Sequence, residues 1–134
     1  MTQHNQFVVT VADPAAGADF SYTVPTTSTP QKLIAASYTL TTDANVANRL
    51  ARVRVKRGSN TILMAAASSV QAADAVASNF WQYNVAVNVV ASTSRVQVLP
   101  DQITLFPGDV IDSFLLNKQV GDQITLVTFV FEMI

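Results

Sequence analysis

Short runs of alternating or β-branched residues, each closed by a cluster of Pro, Gly, Asn, Asp or Ser, follow one another about every dozen residues along the chain. They read as nine strands: "QFVVTVA" (6–12), "DFSYTV" (19–24), "KLIAASYTLT" (32–41), "RLARVRVKR" (49–57), "TILMAA" (61–66), "FWQYNVAVNVVA" (80–91), "RVQVLP" (95–100), "VIDSFLLNKQ" (110–119) and "QITLVTFVFEMI" (123–134). The turns between them, among them "ADPAAG", "VPTTSTP", "RGSN" and "FPGD", have plain causes. Gly permits a positive φ, Pro fixes φ, and Asx side chains close local hydrogen bonds. Each run presents one apolar face, and many short strands of that kind bury those faces most simply in two stacked layers. The expectation is an all-β, antiparallel two-sheet β-sandwich, jelly-roll-like, with eight or nine strands. The 134 residues make one domain, with residues 1–6 as an N-terminal arm.

One stretch resists the strand pattern. "MAAASSVQAADAVASN" (64–79) is rich in Ala, the best helix former, but its apolar side chains are small and Ser68, Ser69 and Ser78 compete for the backbone. It reads as a long loop with at most one helical turn. The last strand alternates Leu126, Thr128, Val130 and Glu132 with Thr125, Val127, Phe129 and Phe131 and runs to Ile134, so flexible contacts to a partner are expected from the arm "MTQHNQ" or from loops.

The residues offer catalysis little to work with. His4 is the only histidine and sits in the arm, where it forms neither a triad nor a His-based metal cluster within one chain; a ligand shared across an oligomer axis is the alternative. Cysteine is absent, which excludes disulfides and thiolate metal sites. The nine acidic residues fall at turns and strand ends, the usual place for Asp, although Asp109 and Asp112 could meet Asp101 or Asp122 at one end of a sandwich. No Gly-rich phosphate loop, G-x-S-x-G elbow or H-E-x-x-H occurs. The expectation is a protein that is not an enzyme and takes no cofactor and no metal. The first twenty residues lack the basic and apolar regions of an export signal, and the longest near-apolar run, "NVAVNVVA" (84–91), is far short of the roughly 20 residues of a membrane helix. A soluble protein without membrane contact is expected.

Two stretches carry candidate binding residues. In "NFWQYN" (79–84), Trp81 and Tyr83 share one strand face. Exposed, they would be a stacking platform for sugars or bases; buried, they are core, which the continuation of that face through Val85, Val87 and Val89 favours. In "RLARVRVKRG" (49–58), Arg49, Arg52, Arg54, Lys56 and Arg57 are five of the eight basic residues of a chain with only 13% charged residues and a net charge of −1. Arg52, Arg54 and Lys56 alternate with Ala51, Val53 and Val55, so one face is apolar and inward and the other cationic and outward. That stripe is either a solvated strand whose charges resist edge pairing or a contact with an acidic partner or with Asp residues of a neighbouring subunit. On the second reading Arg49, Arg52, Arg54, Lys56 and Arg57, with His4 and Asn5 of the arm, form the partner interface. Nucleic acid is not expected, because the net charge is slightly negative and no aromatics interleave the basic residues.

"YTLTTDANVANRLARVRV" (38–55), the "RGSN" turn and "LFPGDVIDSF" (105–114) resemble a pattern of small β-sandwich virion proteins of tailed bacteriophages, the minor structural and capsid decoration (cement) proteins. The likeness covers about two thirds of the chain and rests on soft motifs: a strand, an Asx-rich turn with Asn48 and Arg49, a basic strand and a Pro-Gly-Asp turn. It implies a jelly-roll-like homo-oligomer, with a trimer favoured, that is made in the host cytoplasm and docks on the outside of the virion's major capsid protein shell. It implies no catalysis and no cofactor. A low-charge, Thr/Ser/Ala/Val-rich chain suits repeated shallow interfaces that gain strength by multivalency. The same profile would serve a glycan- or receptor-binding module of a head or tail fibre, with Trp81 and Tyr83 as its platform.

Overall fold

The computed structural model describes residues 5–84, 88–91 and 93–134. Among them are eleven strands and no helix: β1 (Gln6–Val11), β2 (Ser21–Thr23), β3 (Gln31–Thr41), β4 (Arg52–Arg57), β5 (Asn60–Ala66), β6 (Val76–Tyr83), β7 (Asn88–Ala91), β8 (Ser94–Leu99), β9 (Thr104–Leu105), β10 (Val110–Ser113) and β11 (Gln123–Met133).

They form two sheets. The larger runs β1-β11-β3-β6-β8-β7, with β9 also paired to β3, and the smaller runs β2-β10-β4-β5. Set aside β7, β8 and β9, and the two four-strand orders, β1-β11-β3-β6 and β2-β10-β4-β5, are those of a jelly roll, the chain crossing between sheets after β1, β2, β3, β5, β6 and β10. The expected all-β sandwich is what the chain adopts. One pairing departs from the antiparallel expectation: β8 lies parallel to β6, with Phe80 opposite Val96, and antiparallel to β7 on its other side. The run 80–91 is therefore not a single strand. It breaks at Asn84, whose φ is 60°, and β8 inserts between the two pieces.

The Ala-rich stretch is the tail of β5, a bent crossing and the start of β6. Gln71 anchors the crossing through two backbone bonds with Arg49, of 2.9 and 2.7 Å, and Arg95 holds it from beneath by donating to the carbonyls of Ser69 and Val70. Of the arm, residues 1–4 lie outside the described residues. Gln6 already pairs with Glu132 in β1, and the Asn5 carbonyl accepts from Met133, so these two residues are joined to the sheet.

Alternation fills the space between the sheets. Leu33, Ala36, Tyr38 and Leu40 of β3, Val53 and Val55 of β4 and Ile124, Val127, Phe129 and Phe131 of β11 all point inward and are buried. Aromatic rings run through this core from Trp81 to Tyr38 (5.3 Å between centroids), Phe20 (5.4 Å), Phe129 (5.7 Å), Phe131 (6.1 Å) and Phe7 (5.4 Å). The polar tips in that row are satisfied: Trp81 Nε1 donates to the Ala66 carbonyl at 3.1 Å and the Tyr38 hydroxyl to the Arg52 carbonyl at 2.9 Å. Burial pushes the Tyr38 phenol far above its ordinary range, so it stays a neutral donor.

Candidate functional site

The basic stripe lies on the small sheet, and its partners come from the same chain. Arg54 grips Asp112 of the neighbouring β10 through Nε (2.9 Å) and Nη2 (2.8 Å). Arg57 binds Asp109 at 2.9 Å, and Arg52 donates to the Phe114 carbonyl at 2.6 Å. The Phe114 ring lies under both guanidinium groups, 4.1 Å from Arg52 and 4.2 Å from Arg54, while Phe106 lies 4.9 Å from Arg57. Lys56 forms no ion pair with a described residue. The contact with neighbouring Asp residues exists, but within one subunit: β10 brings Asp112 into register with Arg54. This corrects the view of the stripe as a free cationic surface, because most of its charge is already answered.

Arg49 departs furthest from its expected role. Its side chain is fully buried and binds Asp122 through Nε and Nη2, each at 3.0 Å, Asp43 at 2.6 Å, and the carbonyls of Asn45 and Ala47. A side chain so enclosed cannot contact a partner; it ties the turn after β3 to the turn before β11. His4 lies outside the described residues, and Asn5 is exposed. Asp109, Asp112 and Asp122 do not meet, each facing a different arginine; the two carboxylates that come together, Asp43 and Asp122, do so around Arg49. Among the described residues no three His, Cys, Asp or Glu side chains are placed to hold a metal, and no helix is long and apolar enough to cross a membrane.

The aromatic pair is also divided. Trp81 is fully buried while Tyr83, at the end of β6, is 42% exposed, so Trp81 offers no stacking surface and the pair is not a platform. The continuation of their face through Val85 and Val87 lies outside the described residues.

A different surface stands out, and it was not among the candidates. The outward side chains of the larger sheet align in rows across five strands. Val8, Val130, Ala35, Gln82 and Val98 make one row, and Thr10, Thr128, Ser37, Phe80 and Val96 the next. Thr125, Thr39, Ser78 and Ser94 follow, then Thr41 and Val76. None of these positions is charged. Lys32 and Glu132 come only in the row beyond, and Val8 (62%), Val76 (51%) and Val98 (39%) stand well exposed. The signal was present in the sequence: the alternation that picks out the inward residues also defines the outward set, whose lack of charge emerges only when the five strands are laid side by side.

On this face β11 bulges between Thr125 and Thr128. The bulge places Leu126 at a φ of 55° with its side chain 72% exposed. Leu126 forms one wall of a hollow of about 310 Å³, otherwise lined by Ser37, Thr39, Ser78, Phe80 and Thr128 over Tyr38.

No family model matches the chain, and no curated protein is similar to it. Among solved structures, that of the infectious bursal disease virus Gx strain is similar at 12% identity with a TM-score of 0.33, over 99% of this chain and 41% of that one.

Proposed function

We propose that the protein is a non-catalytic structural subunit of a virion, which binds the outside of an assembled phage capsid as an oligomer and reinforces it. The observation that carries this reading is the charge-free outer face of the larger sheet. A face spanning five strands without a charge is poorly suited to standing alone in water and well suited to repeated contact with protein. The jelly-roll order agrees, being an architecture of viral shell domains, although lectins and cupins share it. The segments behind the family resemblance form β3, β4 and β10 and the turns around them. That part of the molecule sets the order of the small sheet, where each ion pair closes within the chain.

The test is co-sedimentation of the purified protein with emptied capsids and undecorated shells of the source virus, with the pellets imaged by electron microscopy. Saturable binding at repeated symmetry positions is the expected result. A protein that stays in the supernatant with every shell would overturn the proposal.

A further inference from the structure

We infer that the outer face of the larger sheet is a two-fold contact between copies of this chain, in which Leu126 of each copy seats in the hollow beside Leu126 of the other. This deepens the reading of that face as an association surface and rests on it.

The first argument is strain. A leucine in the left-handed region costs roughly 1–2 kcal/mol, which glycine would avoid. Here that conformation turns a large apolar side chain into solvent, 72% exposed, beside rows that carry no charged side chain. Within this chain the geometry gains two long bonds, each of 3.3 Å, from the Leu126 N–H to the Asp13 carboxylate and from the Thr128 hydroxyl to the Leu126 carbonyl. The second is fit. The hollow of about 310 Å³ has hydroxyls at its rim and Phe80 in its wall; roughly 150 Å³ of apolar space suffices for a benzene ring, so an isobutyl group is accommodated.

The third is symmetry. A knob and a hole side by side on one face are self-complementary: a two-fold axis lying in the plane of contact and passing between them brings each knob onto the other copy's hole. The trimer implied by the family resemblance would instead need two different patches meeting head to tail, so this face selects a pair. The fourth is size and charge. The sixteen positions of those rows, about 4.8 Å apart between strands and about 6.6 Å apart between rows, cover on the order of 500 Å², close to the roughly 600 Å² per partner at the lower end of stable interfaces. The rows themselves carry no charge, so a second copy meets no like-charge repulsion across them, Asp13 being the carboxylate at their margin beside Leu126, while a strongly charged partner would find little to pair with.

The experiment is sedimentation equilibrium of the full chain from about 1 to 200 μM, alongside Leu126→Gly and Thr39→Lys. Leu126→Gly relieves the backbone strain while removing the knob, so its thermal midpoint should hold or rise. Thr39→Lys places like charges across the axis. The wild type is expected to be a dimer, and each variant to weaken dimerisation at least ten-fold while keeping the wild-type circular dichroism. A wild-type monomer throughout the range, a trimer, or a dimer indifferent to both substitutions would overturn the inference. Shell co-sedimentation is scored separately: a monomer that still binds shells would sink the two-fold contact, make the shell the occupant of this face and leave the proposed function standing.

Discussion

Arg49 has no exposed surface and shares its guanidinium between Asp122 and Asp43. Truncating one partner of a buried pair leaves the other charges uncompensated, so Arg49→Ala is expected to lose about 3–5 kcal/mol in urea denaturation with an unchanged m-value. A loss below about 1 kcal/mol would mean the knot is not the clasp described. The same carboxylates set the acid limit. Burial pushes Asp122 upward, but Arg49 and the N–H groups of Gln119 and Asp43 outweigh it and hold the carboxyl below its usual range. Asp109 is held low chiefly by Arg57, with the Phe106 N–H adding to it against burial. A carboxyl whose folded pKa lies below its unfolded value near 3.9 contributes stability above that value and loses it as pH falls through the folded pKa. The melting temperature should therefore stay level from about pH 7 to pH 5 and fall below about pH 4, with a shallower fall in Asp109→Asn. A melting temperature that rises on acidification would contradict this.

Two turns of similar backbone conformation should respond differently to substitution. Gly17 has a φ of 77°, and a β-carbon there would lie 2.7 Å from the Val120 carbonyl oxygen, a backbone atom that cannot swing aside. Gly58, in the β4–β5 turn, has a φ of 61° and open space around it. Gly17→Ala is expected to lose more than about 2 kcal/mol and Gly58→Asn less than about 0.5, since Asn tolerates the left-handed region. Equal melting temperatures for the two would refute the distinction. These elements also show what was legible in the sequence. Alternation gave β1, β3, β4 and β11 and the inward faces of Val53, Val55, Phe129 and Phe131, because period two is a local property. It could not show that β8 slots between β6 and β7, since strand order depends on pairing across the sheet. Asp109, Asp112 and Asp122 lie 52, 58 and 73 residues from Arg57, Arg54 and Arg49, and only Asp43, six from Arg49, is near in sequence, so the basic stripe was visible while most of its neutralisation was not. Burial of Trp81 followed from its face; exposure of Tyr83 did not, because the strand ends there.

At the scale of the molecule the two outer faces are chemical opposites. The small sheet carries cations that its own Asp residues and aromatic rings answer, and the larger sheet carries no charge in four successive rows. Replacing Arg52, Arg54 and Lys56 with Ser should leave both self-association and shell binding within two-fold of wild type while lowering the melting temperature, because Asp112 loses its partner. A large loss of binding in a folded variant would return the interface to the basic strand. Association through the uncharged face should also be nearly indifferent to sodium chloride between about 0.05 and 0.5 M and strengthened by sulfate. A steep weakening with salt in sedimentation runs would argue against that face. The position of β11 governs the order of events during synthesis. It sits between β1 and β3, so on the ribosome the first strand waits for the eleventh, its edge and apolar side chains uncovered until Gln123–Met133 has emerged. The larger sheet therefore closes only once β11 is available, at the slower rates typical of distant strand pairing. When many copies are made at once, that interval is when nascent β1 and β3 edges are most exposed to one another, and chaperone demand should peak there.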